Sequence, residues 1–307
     1  MSKEYSITYE KGSTVRIGTS DKVIRGFGYV FVTIYAVCCI IPFLIIISTS
    51  FTSEATIRLE GVQLIPKDFS LQAYTMVLKG GTLFKSYFVT ITITVLGTFF
   101  GLSIIAMTGY ALQRKDFPFR NVISFYFYFT SLFSAGLAPY YLLMTQTYGL
   151  KDSYLAVLLP LMMSPWLIIL MKNFIKAIPH EITESGKIDG AGDLRVFISL
   201  ILPMVKPALA TIGLFLALGY WNEWYQSSLF LSSRVDVKPL QYTLYEIVNK
   251  NDMLRNSVAG QFINVTDIPT ESVKMANAVL ATGPIILLYP FVQKYFVSGL
   301  TVGAVKG

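Results

Sequence analysis

Apolar residues along the chain collect into six runs, each close to the ~20 residues that a helix needs to cross a bilayer. They cover residues 27–50, 86–112, 121–144, 153–171, 198–220 and 275–293. The polar stretches between them are very unequal. Residues 51–85 and 221–274 are long, 113–120 and the turn at Lys151-Asp152 are short, and 172–203 leads into the fifth run. The pattern predicts an all-α polytopic membrane protein with six transmembrane helices. It divides into an N-terminal segment over 1–26, a membrane domain over 27–299 and a tail over 300–307. Within 51–85, Pro66 favours irregular structure, and several apolar residues predict a short helix lying on the surface.

The runs differ in character. The second is rich in Thr90, Thr92, Thr94, Gly97, Thr98 and Gly101, small residues that let helices approach closely in lipid. The third is aromatic from Phe125 to Phe129 and is interrupted near Gly136 and Pro139. Pro42, Pro160, Pro165, Pro203, Pro207, Pro284 and Pro290 fall inside or at the entrances of the others. A proline removes a backbone donor and breaks the helical ladder. In a membrane the freed groups need compensation, which helices packed around a cavity supply. Simple kinks between lipid-facing helices are the alternative.

Composition agrees: 53% of residues are hydrophobic, mean hydropathy is +0.56, and 14% are charged, against about 25% in soluble domains. The net charge of +7 is therefore read through topology. Arg114, Lys115 and Arg120 crowd a connection of eight residues, and basic residues in short connections mark the cytoplasm. With six spans both termini lie on that side: N-in, C-in. The first 26 residues are too long and too mixed in charge for a cleavable signal. Cys38 and Cys39 are neighbours in the first run and point in different directions, so they read as packing residues rather than a disulfide or metal pair. His180 has no His or Cys near it in sequence.

Apart from Lys206 at the start of the fifth, the runs hold no Asp, Glu, His, Lys or Arg. Ion-coupled carriers need ionisable groups at membrane depth, and an intramembrane enzyme needs a paired acid, base or metal cluster. Gly186-Lys187 is followed by Ile188 and lacks the upstream glycine of a phosphate loop. An ion-coupled sugar carrier and a membrane-embedded glycan- or lipid-processing enzyme are thus the disfavoured alternatives. Uphill transport would draw its energy from a separate subunit.

The connection at 178–207 is the most ordered polar stretch. Pro179-His180-Glu181 opens a short helix, Ser185 and Gly186 are small, and Asp189-Gly190-Ala191-Gly192 forms a turn before Leu202-Pro203. Three glycines in so short a segment weaken a helix by about 1 kcal/mol each. Small residues let another protein come close; a plain interfacial helix is the other reading.

This stretch resembles the cytoplasmic signature of ABC importer permeases, E-A-A, three residues, G, nine residues, I-x-L-P. Glu184-Ser185-Gly186 take the E-A-A place, Gly190 and Leu200 follow at the family's spacing, and Leu202-Pro203 close it. Ser, Gly and Leu replace the two alanines and the isoleucine. The resemblance implies a MetI-like permease fold whose loop docks on an ATPase through Glu181, Glu184, Ser185, Gly186, Ile188, Asp189, Gly190, Ala191, Leu202 and Pro203. It also implies that Glu184 caps or anchors the docking helix and that Gly190 permits the turn. Asp189 is equally open to being a cap for loop N–H groups.

Trp221-Asn222-Glu223-Trp224 is similar to the W-N-x-W/F feature of carbohydrate importer permeases, and the ending through Gly303, Lys306 and Gly307 resembles the maltose-type G subunit, whose tail reaches between ATPase subunits. Gly136 to Tyr140, Glu271 to Met275 and the terminal GAVKG are similar to LplC/YtcP-type permeases. The resemblance implies a bacterial plasma-membrane permease for oligosaccharides such as plant-wall or uronic-acid fragments or host glycans. It implies four partners: a second, non-identical permease, a homodimeric ATPase, an extracytoplasmic solute-binding lipoprotein that meets the 221–274 connection, and membrane lipid. No cofactor is expected on this chain, with ATP and Mg held by the ATPase, and no metal, catalytic residue or nucleic-acid contact is expected. Tyr128, Tyr140, Tyr141, Trp166, Tyr220, Trp221, Asn222 and Trp224 are the candidates for a sugar path, because flat rings cover pyranose C–H faces. The alternative for each aromatic is an interfacial anchor.

Overall fold

A computed structural model describes residues 19–79, 81–232, 235–256 and 270–286. The described residues are helical apart from their connections and one isolated bridge between Thr52 and Phe69. The long helix α1 (Thr19–Ser50) leads to two short helices, α2 (Glu54–Glu60) and α3 (Gln72–Leu78), where a single surface helix was expected. The 32-residue α4 (Thr82–Gln113) is the spine of the fold. Next come α5 (Arg120–Leu132), α6 (Leu137–Leu142) with a π turn at Leu143–Thr147, α7 (Tyr154–Met162) and α8 (Pro165–Lys176). The central connection supplies α9 (His180–Ile188) and α10 (Asp193–Val196), which passes through a π turn (Phe197–Ile201) into α11 (Leu202–Met204). Then follow α12 (Lys206–Trp221), α13 (Tyr225–Phe230), α14 (Leu240–Asn256) and a further helix, α15, over 271–286.

Three helices are long and apolar enough to cross a membrane by themselves, at Lys22–Ser50, Thr82–Gln113 and Tyr154–Lys176. Two further runs are broken: α5 meets α6 and its π turn at 116°, and Asp193–Met204 meets α12 at 85°. Counting each bent pair as one span gives five among the described residues. The sixth apolar run, 275–293, is described only as far as 286. The breaks have local causes. Gly136 sits at φ +90° ahead of Pro139, while Pro203 and Pro207 flank Val205, where α11 gives way to α12. Prolines in the first helical turn cost nothing there, and Pro165 starts α8 in that position.

The core forms where α4 packs against α7, α8 and α12, with Ile105, Ile168, Met171, Ile201 and Ile212 fully buried. The glycines of α4 set the approach: Gly97 faces the Tyr220 ring, Gly101 the backbone of Met162, and Gly109 the Met171 side chain. By contrast, the apolar window of α1 has no buried residue in the single chain, so its surface is left for lipid or another subunit.

The 221–274 connection is partly folded. Leu240 N–H donates to Thr90 Oγ1 at 2.7 Å, and Ser86 and Thr243 hydroxyls share a 2.9 Å bond, so α14 is pinned to α4. Glu54 ties the connection between α1 and α4 to α15. Its carboxylate accepts from Ser272 N–H (3.0 Å), Ser272 Oγ (2.9 Å), Glu271 N–H (3.2 Å) and Thr270 Oγ1 (3.1 Å), with Arg58 at 3.3 Å. The two N–H groups are orphan backbone donors at the start of α15. Burial alone would raise the Glu54 pKa, but the donors from Ser272, Glu271 and Thr270 hold it below the ordinary 4.5. A depressed carboxylate pKa contributes stability above the unfolded value, lost as pH falls through the folded one. Acidification below about 4.5 should therefore loosen α15 in the wild type. Glu54→Gln should already be destabilised at neutral pH by ~1–3 kcal/mol, since it strands buried donors. The thermal midpoints of the two proteins should converge on acidification; parallel curves would contradict this role.

Candidate functional site

The central connection builds a rigid platform. Pro179, extended at ψ 138°, precedes α9, and Glu181 lies in the first turn, where the helix dipole favours an acid. The far end closes through Gly190 at φ +79°. Gly190 N–H donates to Lys187 O and Ala191 N–H to Gly186 O, both at 3.0 Å. That is the paired pattern of a Schellman turn, whose left-handed residue is normally glycine. Because backbone carbonyls satisfy the N–H groups of 189–191, the cap proposed for Asp189 is not needed, and Asp189 is exposed.

Gly186 is buried, and its small size serves this chain rather than a visitor. A Cβ there would lie 2.8 Å from Leu200 Cδ1 and 3.3 Å from Val196 Cγ2. The expectation that Gly186 admits another protein is corrected on that ground. Glu184 is also not a helix cap: it stands midway along α9, exposed, with His180 Nε2 at 3.7 Å. Ser185 is exposed, its hydroxyl turned back to Ile182 O at 3.1 Å. Ala191 and Leu202 are half-buried against the core, and Pro203 is exposed at the bend. The surface that remains is apolar and open: Ile188 is 85% exposed, Leu194 66% and Ile198 52%.

The platform is bound to the 113–120 connection by four charges. Arg114 forks onto both oxygens of Asp116 and also reaches Asp193. Lys187 Nζ lies 3.0 Å from Asp116 and 3.6 Å from Asp193. The hydrogen bonds from Arg114, then Lys187, hold the Asp116 carboxyl well below the usual carboxylate range, and the hydrogen bond from Arg114 also lowers Asp193. Exposed pairs contribute little singly, but here alternating charges cross-link two connections, and Arg114 also stacks 5.8 Å over the Tyr110 ring at the end of α4. Beside them lies a groove of ≈ 480 Å³ lined by Arg114, Lys115, Lys176, His180, Thr183 and Glu184 among others. Sequence reasoning used Arg114 and Lys115 only for topology. An acid, Asp116, directly after Arg114-Lys115 was the available sign of a pairing role.

The aromatic path candidates are not gathered into one site. Tyr128 and Trp166 are exposed, Trp166 edge-on to Phe215 at 5.4 Å. Tyr140 donates to Gln226 Oε1 at 2.9 Å, and Tyr141 stacks on Phe230 at 5.7 Å. Tyr220 is 1% exposed, its ring over Gly97 and its hydroxyl donating to Leu158 O at 2.8 Å. Trp221 is buried, with Nε1 donating to Ala281 O at 3.0 Å. Tyr220 and Trp221 therefore serve helix packing, a correction forced by burial and committed polar atoms. Asn222 is exposed, and Trp224 stacks on Tyr245 at 4.8 Å. Glu223 is buried and accepts from Ser227 N–H (3.3 Å), Ser227 Oγ (2.7 Å) and Gln226 N–H, capping α13. Gly303, Lys306 and Gly307 lie outside the described residues.

Residues 106–302 match the family described as "Binding-protein-dependent transport system inner membrane component". The polygalacturonan/rhamnogalacturonan transport system permease protein YtcP of Bacillus subtilis (strain 168) is 36% identical over 279 residues, covering 91% of this chain and 96% of that protein. Protein LplC of the same organism is 37% identical over 268 residues, covering 87% and 90%. A crystal structure of a bacterial ABC transporter involved in the import of the acidic polysaccharide alginate superposes with a TM-score of 0.76 at 31% identity. The match covers 92% of this chain and 100% of that one.

Proposed function

Since the chain belongs to the binding-protein-dependent transport system inner membrane components, we propose that its 180–203 platform docks a cytoplasmic ATPase and drives oligosaccharide import. The chain is a membrane permease of an ABC importer. In the proposed assembly it contributes half of the path beside a second, non-identical permease. An extracytoplasmic lipoprotein delivers cargo at the outer connections. ATP and Mg are held by a homodimeric ATPase, and this chain catalyses nothing.

One observation carries the docking role. Ile188 and Leu194 expose apolar surface on a loop fixed by a Schellman turn and by charges reaching a second connection, and apolar surface of this kind on an ordered element marks an interaction site. Contact between 113–120 and 180–193 supports placing both on one face, which the basic residues of 113–120 assign to the cytoplasm. Closure of the ATPase would push on α9. The push reaches α4 through Arg114 and α12 through the bend at Val205, so the loop and these two helices move together.

For cargo, relatives named for polygalacturonan/rhamnogalacturonan and alginate point to acidic oligosaccharides. The test is uptake of oligogalacturonate by proteoliposomes holding the complete importer and its lipoprotein. Uptake should require ATP on the ATPase side and survive a protonophore. Uptake that persists without ATP and collapses with the proton gradient would overturn the reading in favour of an ion-coupled carrier.

A further inference from the structure

Where α14 passes α15 and the end of α12, the outer half of the fold holds a recess of ≈ 300 Å³. One wall is an aromatic platform: Trp224 and Tyr245 lie stacked, centroids 4.8 Å apart and planes 29° apart, each partly exposed at 41% and 44%. Gln241 adds an amide, and the remaining lining from Leu244, Val248, Ala278 and Ala281 is apolar. Asn277 completes it. This side chain is 4% exposed, and among the described residues neither its Oδ1 nor its Nδ2 has a hydrogen-bond partner.

A buried amide with neither group satisfied costs stability, and its position is not accidental to the fold. It lies in the second turn of α15, whose start is fixed by the four donors into Glu54. Trp221, bonded to Ala281 O, fixes the helix on the far side. A rigid scaffold thus holds an amide that can give two hydrogen bonds and accept two beside an open recess floored by flat rings. A water-filled groove would not require the rings, and an apolar lipid site would not require the amide. The combination of stacked face and adjacent amides is that of a site for one pyranose ring. The aromatic pair covers its C–H face, and Asn277 and Gln241 pair with its hydroxyls.

We infer that Trp224, Gln241, Tyr245 and Asn277 form a sugar subsite on this chain, contacting a single pyranose ring of the cargo through its hydroxyls and C–H face. Among the described residues no charged side chain lines the recess, so they do not read a carboxylate on the sugar, and neutral and acidic pyranoses of matching hydroxyl geometry should both enter. The inference rests on the reading of the chain as an oligosaccharide permease.

The test is uptake kinetics of labelled oligogalacturonate in proteoliposomes containing the whole importer. Asn277→Leu is close in volume and removes the unpaired amide. It should raise the half-saturating concentration roughly tenfold, as expected when a site built to pair hydroxyls loses its polar partner, yet raise the thermal midpoint of the empty complex. Trp224→Leu, at a half-exposed position, should raise half-saturation similarly. Unchanged half-saturation in both variants, with wild-type uptake intact, would overturn the subsite alone. So would a fall in the Asn277→Leu midpoint, which would assign the residue to packing. Absence of uptake by the wild type would overturn the permease reading, and the subsite with it.

Discussion

Replacing Gly186 with Leu should abolish recovery of the ATPase with this chain while leaving its membrane helices folded. A Cβ at Gly186 already meets Leu200 Cδ1 at 2.8 Å and Val196 Cγ2 at 3.3 Å. Ala is tolerable because the nearest atom ends a flexible, half-buried side chain that can swing aside. Leu adds three more carbons facing Val196, which is fully buried. Overpacking of this kind costs ~1–3 kcal/mol. A nine-residue helix has little stability of its own and depends on tertiary packing, so the strain is relieved by lifting α9 off α10. Ile188 then leaves its place relative to Leu194. With a tag at the N-terminus, co-purified ATPase should fall at least roughly tenfold for Gly186→Leu, the factor 1.4 kcal/mol produces, and stay near wild type for Gly186→Ala. Equal recovery with both would show that the platform's shape does not matter.

The second large effect lies within the membrane. Gly97→Ala should destabilise the whole α4–α12 pair, because the new methyl would come under 3.0 Å from three ring carbons of Tyr220. The ring has no escape: it is 1% exposed, and its hydroxyl is anchored on Leu158 O at 2.8 Å. The helices must separate or the hydrogen bond must break. The cost belongs at or above the upper end of the ~1–3 kcal/mol range for overpacked cores. Tyr220→Leu in the same chain should recover part of the loss despite its own cavity, since residues in contact are strongly non-additive. Thermal unfolding of the purified chain with single and double substitutions checks this. Strictly additive losses would mean that Gly97 and Tyr220 do not share the space described.

These two glycines show what the sequence made legible and what it did not. Small residues in the second apolar run pointed to close helix approach, and Gly97 and Gly101 do make it, joined by Gly109, which the sequence did not single out. The partner in that approach, Tyr220, read instead as a path aromatic, because composition does not tell whether a ring at a span's end faces a cavity or a neighbouring helix. Gly186 was visible as small, but its neighbours Val196 and Leu200 lie beyond a turn whose geometry had to be seen. The loop signature and the bends at Gly136 and Val205 follow from local residues, so they could be read along the chain. Pairings across the chain could not: Lys187 meets Asp116 over 71 residues and Ser272 meets Glu54 over 218. Asn277 gave no local sign either, since an asparagine in an apolar run is remarkable only once its amide is found without a partner.

The central claim is that the 180–203 platform is the surface on which the ATPase acts. The direct measurement places a photo-activated cross-linking residue at Ile188 and, as a control, at Leu59, which is 86% exposed on the connection proposed to face outward. Irradiated native membranes should yield an adduct of this chain with the ATPase from position 188 and none from 59. Adducts of position 188 confined to lipid or to the second permease, with the ATPase captured elsewhere, would contradict the account.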